Sequence, residues 1–84
     1  MPDTDTPKTD GLKKRSFSIA GHRTSIALEP EFWAALEKEA REQKLALAAL
    51  VGRIDAGRVA NRNLASALRV HVLARALEKS TPAP

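Results

Sequence analysis

The 84-residue sequence predicts one small domain, mostly helical, with a short N-terminal β-strand. Three observations predict it. Between Ser16 and Leu28 apolar residues alternate with polar ones (Phe17 and Ile19, then Ile26 and Leu28), which is the period of a strand. From Glu29 onward the apolar spacing lengthens to three and four residues in three successive stretches, which is the period of a helix. The chain has no cysteine, no tyrosine, one tryptophan and two phenylalanines, so no disulfide framework or thiolate metal site supports the core. A monomer of this size buries only about 60 to 65% of the surface its unfolded form exposes, and oligomerisation is the stabiliser that remains.

Taken in order, residues 1–12 hold Pro2, Pro7 and Gly11 among Thr and Asp with little to bury, and are expected to be a disordered tail. If Ile26 and Leu28 face a core, Arg23, Ser25 and Ala27 face the other way. Gly21 marks either a turn or bulge between two short strands or a flexible join. Pro30 stands where a first helical residue belongs, its missing N–H costing nothing there. The first helix carries Phe32, Leu36 and Ala40 with Trp33 beside them, pairs Glu37 with Arg41 and Lys38 with Glu42 on its outer face, and ends near Gln43 or Lys44.

In the second helix Leu47, Leu50, Val51 and Ile54 form one stripe, with Gly57 as a C-terminal cap. The third follows an asparagine N-cap in Asn61–Asn63 and runs to about Lys79. It has two apolar stripes, Leu64, Leu68 and Val72 on one side and Val70, Leu73 and Leu77 on another, so it contacts two bodies. The domain is expected over 13–79, with 80–84 a second disordered tail.

The net charge of +4 is unevenly spread. Residues 13–28 carry Lys13, Lys14, Arg15 and Arg23 and no acid, residues 29–44 are net acidic, and residues 45–84 are net basic again. Such separation suits a polyanionic partner, and simple solubility explains a modest charge equally well. No apolar run reaches the length of a membrane span and the start of the chain is polar and acidic, so a cytoplasmic protein without a membrane partner is expected. Two isolated histidines and a chain too small to wall a pocket point away from an enzyme, a metal site or a cofactor.

The run RTSIALEPEFWAALEKEAREQKLALAALVGRI, Arg23 to Ile54, resembles the ribbon-helix-helix family of Arc, MetJ and CopG-like regulators, and the wider stretch from KRSFSIAGHRTS to NLASALRV resembles an uncharacterised bacterial subgroup of it. The resemblance implies a ribbon-helix-helix domain with an additional C-terminal helix, forming an intertwined homodimer whose two strands pair into one antiparallel ribbon in the major groove of double-stranded DNA. It implies base contacts from Arg23, Ser25 and Ala27, and phosphate contacts from Lys44, Ala46 and Leu47 at the second helix, where the family's usual Gly and Ser/Thr cap are missing; the charge run Lys13, Lys14 and Arg15 reads as an arm along the DNA backbone. The dimer core falls on Ile26, Leu28, Phe32, Trp33, Leu36, Leu50 and Ile54.

Each basic cluster also has a plainer reading. Lys13–Arg15 is equally a solvated charge run, Arg23 an edge-strand guard against aggregation, and Arg53, Arg58, Arg62 and Arg69 either a second phosphate-contacting face or ordinary surface. The function expected is a dimeric transcriptional regulator. The alternatives are a protein-interaction or antitoxin-like module of the same fold, docking a protein partner or forming a higher oligomer through the third helix, and a helix-turn-helix that has no use for the strand.

Overall fold

The structure, a computed structural model, describes residues 11–80. The order is β1 (Lys13–Ile19), β2 (His22–Leu28), α1 (Pro30–Glu42), α2 (Leu47–Ala56) and α3 (Leu64–Ser80). Of the expected tails, residues 1–10 and 81–84 lie outside the described residues.

The strand region holds two strands where the expected fold had one, and of the readings open for Gly21 it is the turn between them that the structure shows. The first strand starts at Lys13, and β1 and β2 pair antiparallel within one chain, with Ile19 opposite His22, Phe17 opposite Thr24 and Arg15 opposite Ile26. Ala20 and Gly21 close this hairpin with φ of 52° and 82°, the positive pair that a two-residue type I′ turn requires. Gly21 adopts its angle freely, whereas Ala20 is strained there. The triplet expected as an arm is the opening of β1, because the antiparallel ladder extends to Lys13 opposite Leu28.

Pro30 opens α1 as its first helical residue. At the other end Lys44 takes φ 58°, the Leu45 N–H donates to Ala40 C=O (2.8 Å) and the Lys44 N–H to Arg41 C=O (3.1 Å). This is a Schellman ending, with lysine where glycine is the unstrained choice. The second helix has no side-chain cap at Ala46, as the missing Ser/Thr implied. Asn63 caps α3 as expected, its Oδ1 accepting the Ser66 N–H at 2.8 Å.

The ribbon's inner face supplies Ile19, Ile26 and Leu28 to the core, where Trp33, Leu36 and Ala40 of α1, Leu50 and Val51 of α2 and Leu68 of α3 meet them. Phe32, Ile54, Leu64 and Val72 are partly buried and pack against this cluster, so of the residues expected in a dimer core Ile26, Leu28, Trp33, Leu36 and Leu50 lie in the chain's own core and Phe32 and Ile54 at its margin. Ion pairs and hydrogen bonds also join α3 to α1 and its N-terminal flank. Arg69 pairs with Glu29 (3.0 Å), Arg75 and Lys79 with Glu42 (2.9 and 3.4 Å), and His71 Nε2 meets both oxygens of Glu39 at 2.8 and 3.1 Å. Glu39 is only 4% exposed and is also held by Gln43 (2.7 Å) and Arg75 (3.5 Å). A buried carboxylate persists only when its lone pairs are satisfied in this way. Of the helix pairs expected along α1, Glu37 turns instead to Arg15, while Glu42 keeps the favourable charge of Lys38 and adds its contacts with α3.

Ala20→Asn and Lys44→Gly each relieve a left-handed residue and are expected to stabilise the fold by about 1 kcal/mol, read as a higher urea midpoint at unchanged slope, while Leu36→Ala costs about 2 to 5 kcal/mol. Acid is expected to loosen the α1–α3 contact. The Glu29 carboxyl is held below its usual value by its own backbone N–H and then by Arg69, and that of Glu42 by Arg75 and then Lys79. A lowered folded-state pKa contributes stability above pH 4.5 that is lost as pH falls through the depressed value. Melting temperature measured downward from pH 7 should therefore drop below that point, and less steeply in a Glu29→Gln/Glu42→Gln variant.

Candidate nucleic-acid interface

The hairpin's pleat divides its residues by parity. One face holds Arg15, Phe17, Ile19, Thr24, Ile26 and Leu28 and turns to the helices. The other holds Lys14 opposite Ala27, Ser16 opposite Ser25 and Ser18 opposite Arg23. On this outer face Lys14, Ser16, Ser18, Arg23 and Ser25 are exposed and Ala27 is half-buried. It carries two cations and no acid. Ser16 and Ser25 hydrogen-bond to each other at 2.9 Å, which cross-links the two strands and orients both hydroxyls.

The three basic residues at the start of β1 therefore have separate roles. Lys14 is on the outer face. Lys13 sits at the ribbon's end, exposed, and its carbonyl accepts the Trp33 indole N–H at 2.7 Å. Arg15 points inward, donating to Glu37 at 2.6 Å with its guanidinium 4.9 Å from the Trp33 ring centre. Periodicity assigns these parities once β1 is known to begin at Lys13, but the Glu37 partner lies 22 positions away and no local signal announces it.

Lys44 is exposed at the turn before α2, and Ala46 and Leu47 open that helix. The carbonyl of Ala46 accepts the N–H groups of Ala49 and Leu50, and no side chain caps this end. The further arginines are dispersed. Arg69 is committed to Glu29 and lies 5.8 Å from the Phe32 ring centre, and Arg58 is committed to Asp55 and the Arg62 carbonyl. Arg53, Arg58 and Arg62 rim an open groove of about 480 Å³ between α2 and α3, floored by Leu50, Ile54 and Val70. Among the described residues no group of three His, Cys, Asp or Glu gathers that could hold a metal ion, and no helix is long and apolar enough to cross a membrane.

A two-stranded ribbon with a small polar, acid-free outer face, set on two helices joined by a left-handed turn, agrees with one family model, that of the ribbon-helix-helix domain, which matches residues 12–76. The chain belongs to the ribbon-helix-helix family. The match takes in both strands, α1, α2 and most of α3, so the third helix falls within the domain for most of its length. No curated protein and no solved structure matched the chain. The ribbon-helix-helix family is one of DNA-binding regulators and antitoxins, typically non-enzymatic, whose members bind DNA as dimers.

The parity of β1 makes a prediction that separates neighbours in sequence. Arg15→Ala is expected to cost about 1 kcal/mol of stability, because it removes a half-exposed ion pair and the contact with Trp33. Lys14→Ala should leave the thermal midpoint unchanged. Equal destabilisation by the two would show that the strand does not hold this register.

Proposed function

We propose that this ribbon-helix-helix protein is a DNA-binding regulator that seats the outer face of its ribbon in the major groove. The observation that carries the reading is the acid-free outer face of Lys14, Ser16, Ser18, Arg23, Ser25 and Ala27 on a rigid two-stranded element. B-DNA's major groove, about 12 Å wide, admits a two-stranded ribbon. Arg23 supplies the bidentate donor suited to guanine, the serines donate or accept, and Ala27 meets a thymine methyl. Lys13 and Lys14 contribute charge along the backbone, and Lys44 with the N–H groups at Ala46 and Leu47 forms a phosphate contact beside it. Arg15 serves the fold through Glu37 and Trp33 instead.

The reading includes a homodimer. An antiparallel ladder closed by a two-residue turn directs the backbone groups of His22, Thr24, Ile26 and Leu28 toward β1, and those of Arg23, Ser25 and Ala27 toward the opposite edge of β2. That edge is self-complementary about Ser25. Two chains pairing there would join their hairpins into one sheet and bring two Arg23 side chains into two-fold relation, which demands a partly palindromic site. The antitoxin-like alternative is favoured by one observation, the exposed Val70 and Leu73 of α3.

Selection from random duplexes tests the function. Wild type is expected to enrich a partly palindromic motif, and Arg23→Ala to lose about 1 to 3 kcal/mol of discrimination at symmetric positions. Lys14→Ala should weaken all sequences alike and flatten the salt dependence by about one phosphate contact. Groove reading by this ribbon is wrong if wild type enriches nothing, or if the Arg23 variant enriches the same motif.

A further inference from the structure

The Ser16–Ser25 hydrogen bond in the middle of the ribbon has no fixed direction in the free chain, since either hydroxyl can donate across the 2.9 Å between them. Both residues are exposed on the outer face and stand directly opposite each other in the ladder. A serine hydroxyl has one proton to give and two lone pairs to offer. Whatever takes the proton of Ser16 therefore decides what Ser25 can do.

The width of the sheet decides it, given the groove-binding dimer proposed above, on which this inference rests. Two hairpins joined along β2 make a sheet in the order β1, β2, β2, β1. With neighbouring strands about 4.8 Å apart, each β2 runs about 2.4 Å from the two-fold axis and each β1 about 7 Å from it. The major groove is about 12 Å wide, which puts its phosphate walls about 6 Å from the same axis. The two β2 strands fit between the walls, and the two β1 strands fall on them. The outward residues of β1 are Lys14, Ser16 and Ser18, a cation and two short hydroxyl donors with no acid among them, a set that a phosphate backbone accepts.

We propose that Ser16 bridges a DNA phosphate and Ser25, and so makes Ser25 a reader of base amino groups. An ionised phosphate oxygen only accepts, so Ser16 gives its proton there. Ser25 then donates to Ser16 and turns toward the bases with lone pairs alone. In the major groove the matching donors are the amino groups at adenine N6 and cytosine N4, whereas the acceptors guanine O6 and thymine O4 are refused. Ser16 touches no base. It is a positioning residue that acts through the hydroxyl of its neighbour, and the base it governs lies near the centre of the site, because the β2 edge is self-complementary about Ser25.

The test is selection from random duplexes with the full-length wild type, Ser16→Ala, Ser16→Thr and Ser25→Ala. Ser25→Ala locates the governed position as the one near the motif's centre whose preference it abolishes. Wild type is expected to hold adenine or cytosine there on one strand. Ser16→Ala frees the Ser25 proton, so guanine and thymine should rise at that position by about 2- to 10-fold, the worth of one hydrogen bond. Ser16→Thr keeps the hydroxyl on a residue that strands favour, so it should restore the wild-type preference and separate a lost proton from a disturbed strand. On the enriched duplex, an uncharged methylphosphonate at one linkage beside that position should weaken wild type several-fold more than Ser16→Ala. If Ser25→Ala abolishes no preference, or Ser16→Ala leaves the same preference as wild type, or wild type holds guanine or thymine at the governed position, the proposal falls while groove reading by Arg23 stands. If wild type enriches no motif, groove reading itself falls and the proposal with it.

Discussion

Trp33 is the contact on which the arrangement of the ribbon depends. Its ring is almost wholly buried, its indole N–H is satisfied by the Lys13 carbonyl, the Phe17 ring lies against it at a tilt with 5.9 Å between ring centres, and the Arg15 guanidinium lies over its ring. One side chain of α1 thus binds β1 through a hydrogen bond, a ring contact and a cation at alternate positions 13, 15 and 17. A buried indole N–H left without a partner is costly, so sliding β1 by one residue would lose that bond and turn Phe17 out to solvent. The register of the hairpin and the identity of its outer face follow from this anchoring.

That constraint sorts the basic residues. A net charge of +4 describes the surface poorly, because much of the positive charge is used inside the fold. Arg15 holds Glu37, and the cations of α3 hold the acids beside α1. What remains for a polyanion includes Lys13 and Lys14 at the ribbon, Arg23, the lysine before α2, and Arg53 and Arg62 at the groove between α2 and α3. The acids of α1 neutralise the cations that α3 turns toward them.

Much of the candidate site was legible in the residues. Alternation from Phe17 to Leu28 assigned Arg23, Ser25 and Ala27 to a face opposite Ile26 and Leu28, and the hairpin keeps that assignment. Pro30 and Asn63 marked helix starts because their effects act within one turn of the backbone. The second apolar stripe of α3 was readable for a similar reason, since helical spacing decides which residues share a side before anything packs on them. Lys44 was visible as a missing glycine, though its left-handed φ was not, because a lysine carries no local preference for it.

The sequence by itself determined the local elements, their order, their apolar faces and the polar composition of the ribbon, since all of these depend on interactions spanning at most a few residues. Only the tertiary structure decided that β1 is the strand beside β2, that Arg15 belongs to the fold rather than to an arm, and that His71 secures a buried Glu39. Each of those pairings joins positions whose preferences are individually weak. They become favourable only when the chain has already brought the partners together and excluded water around them.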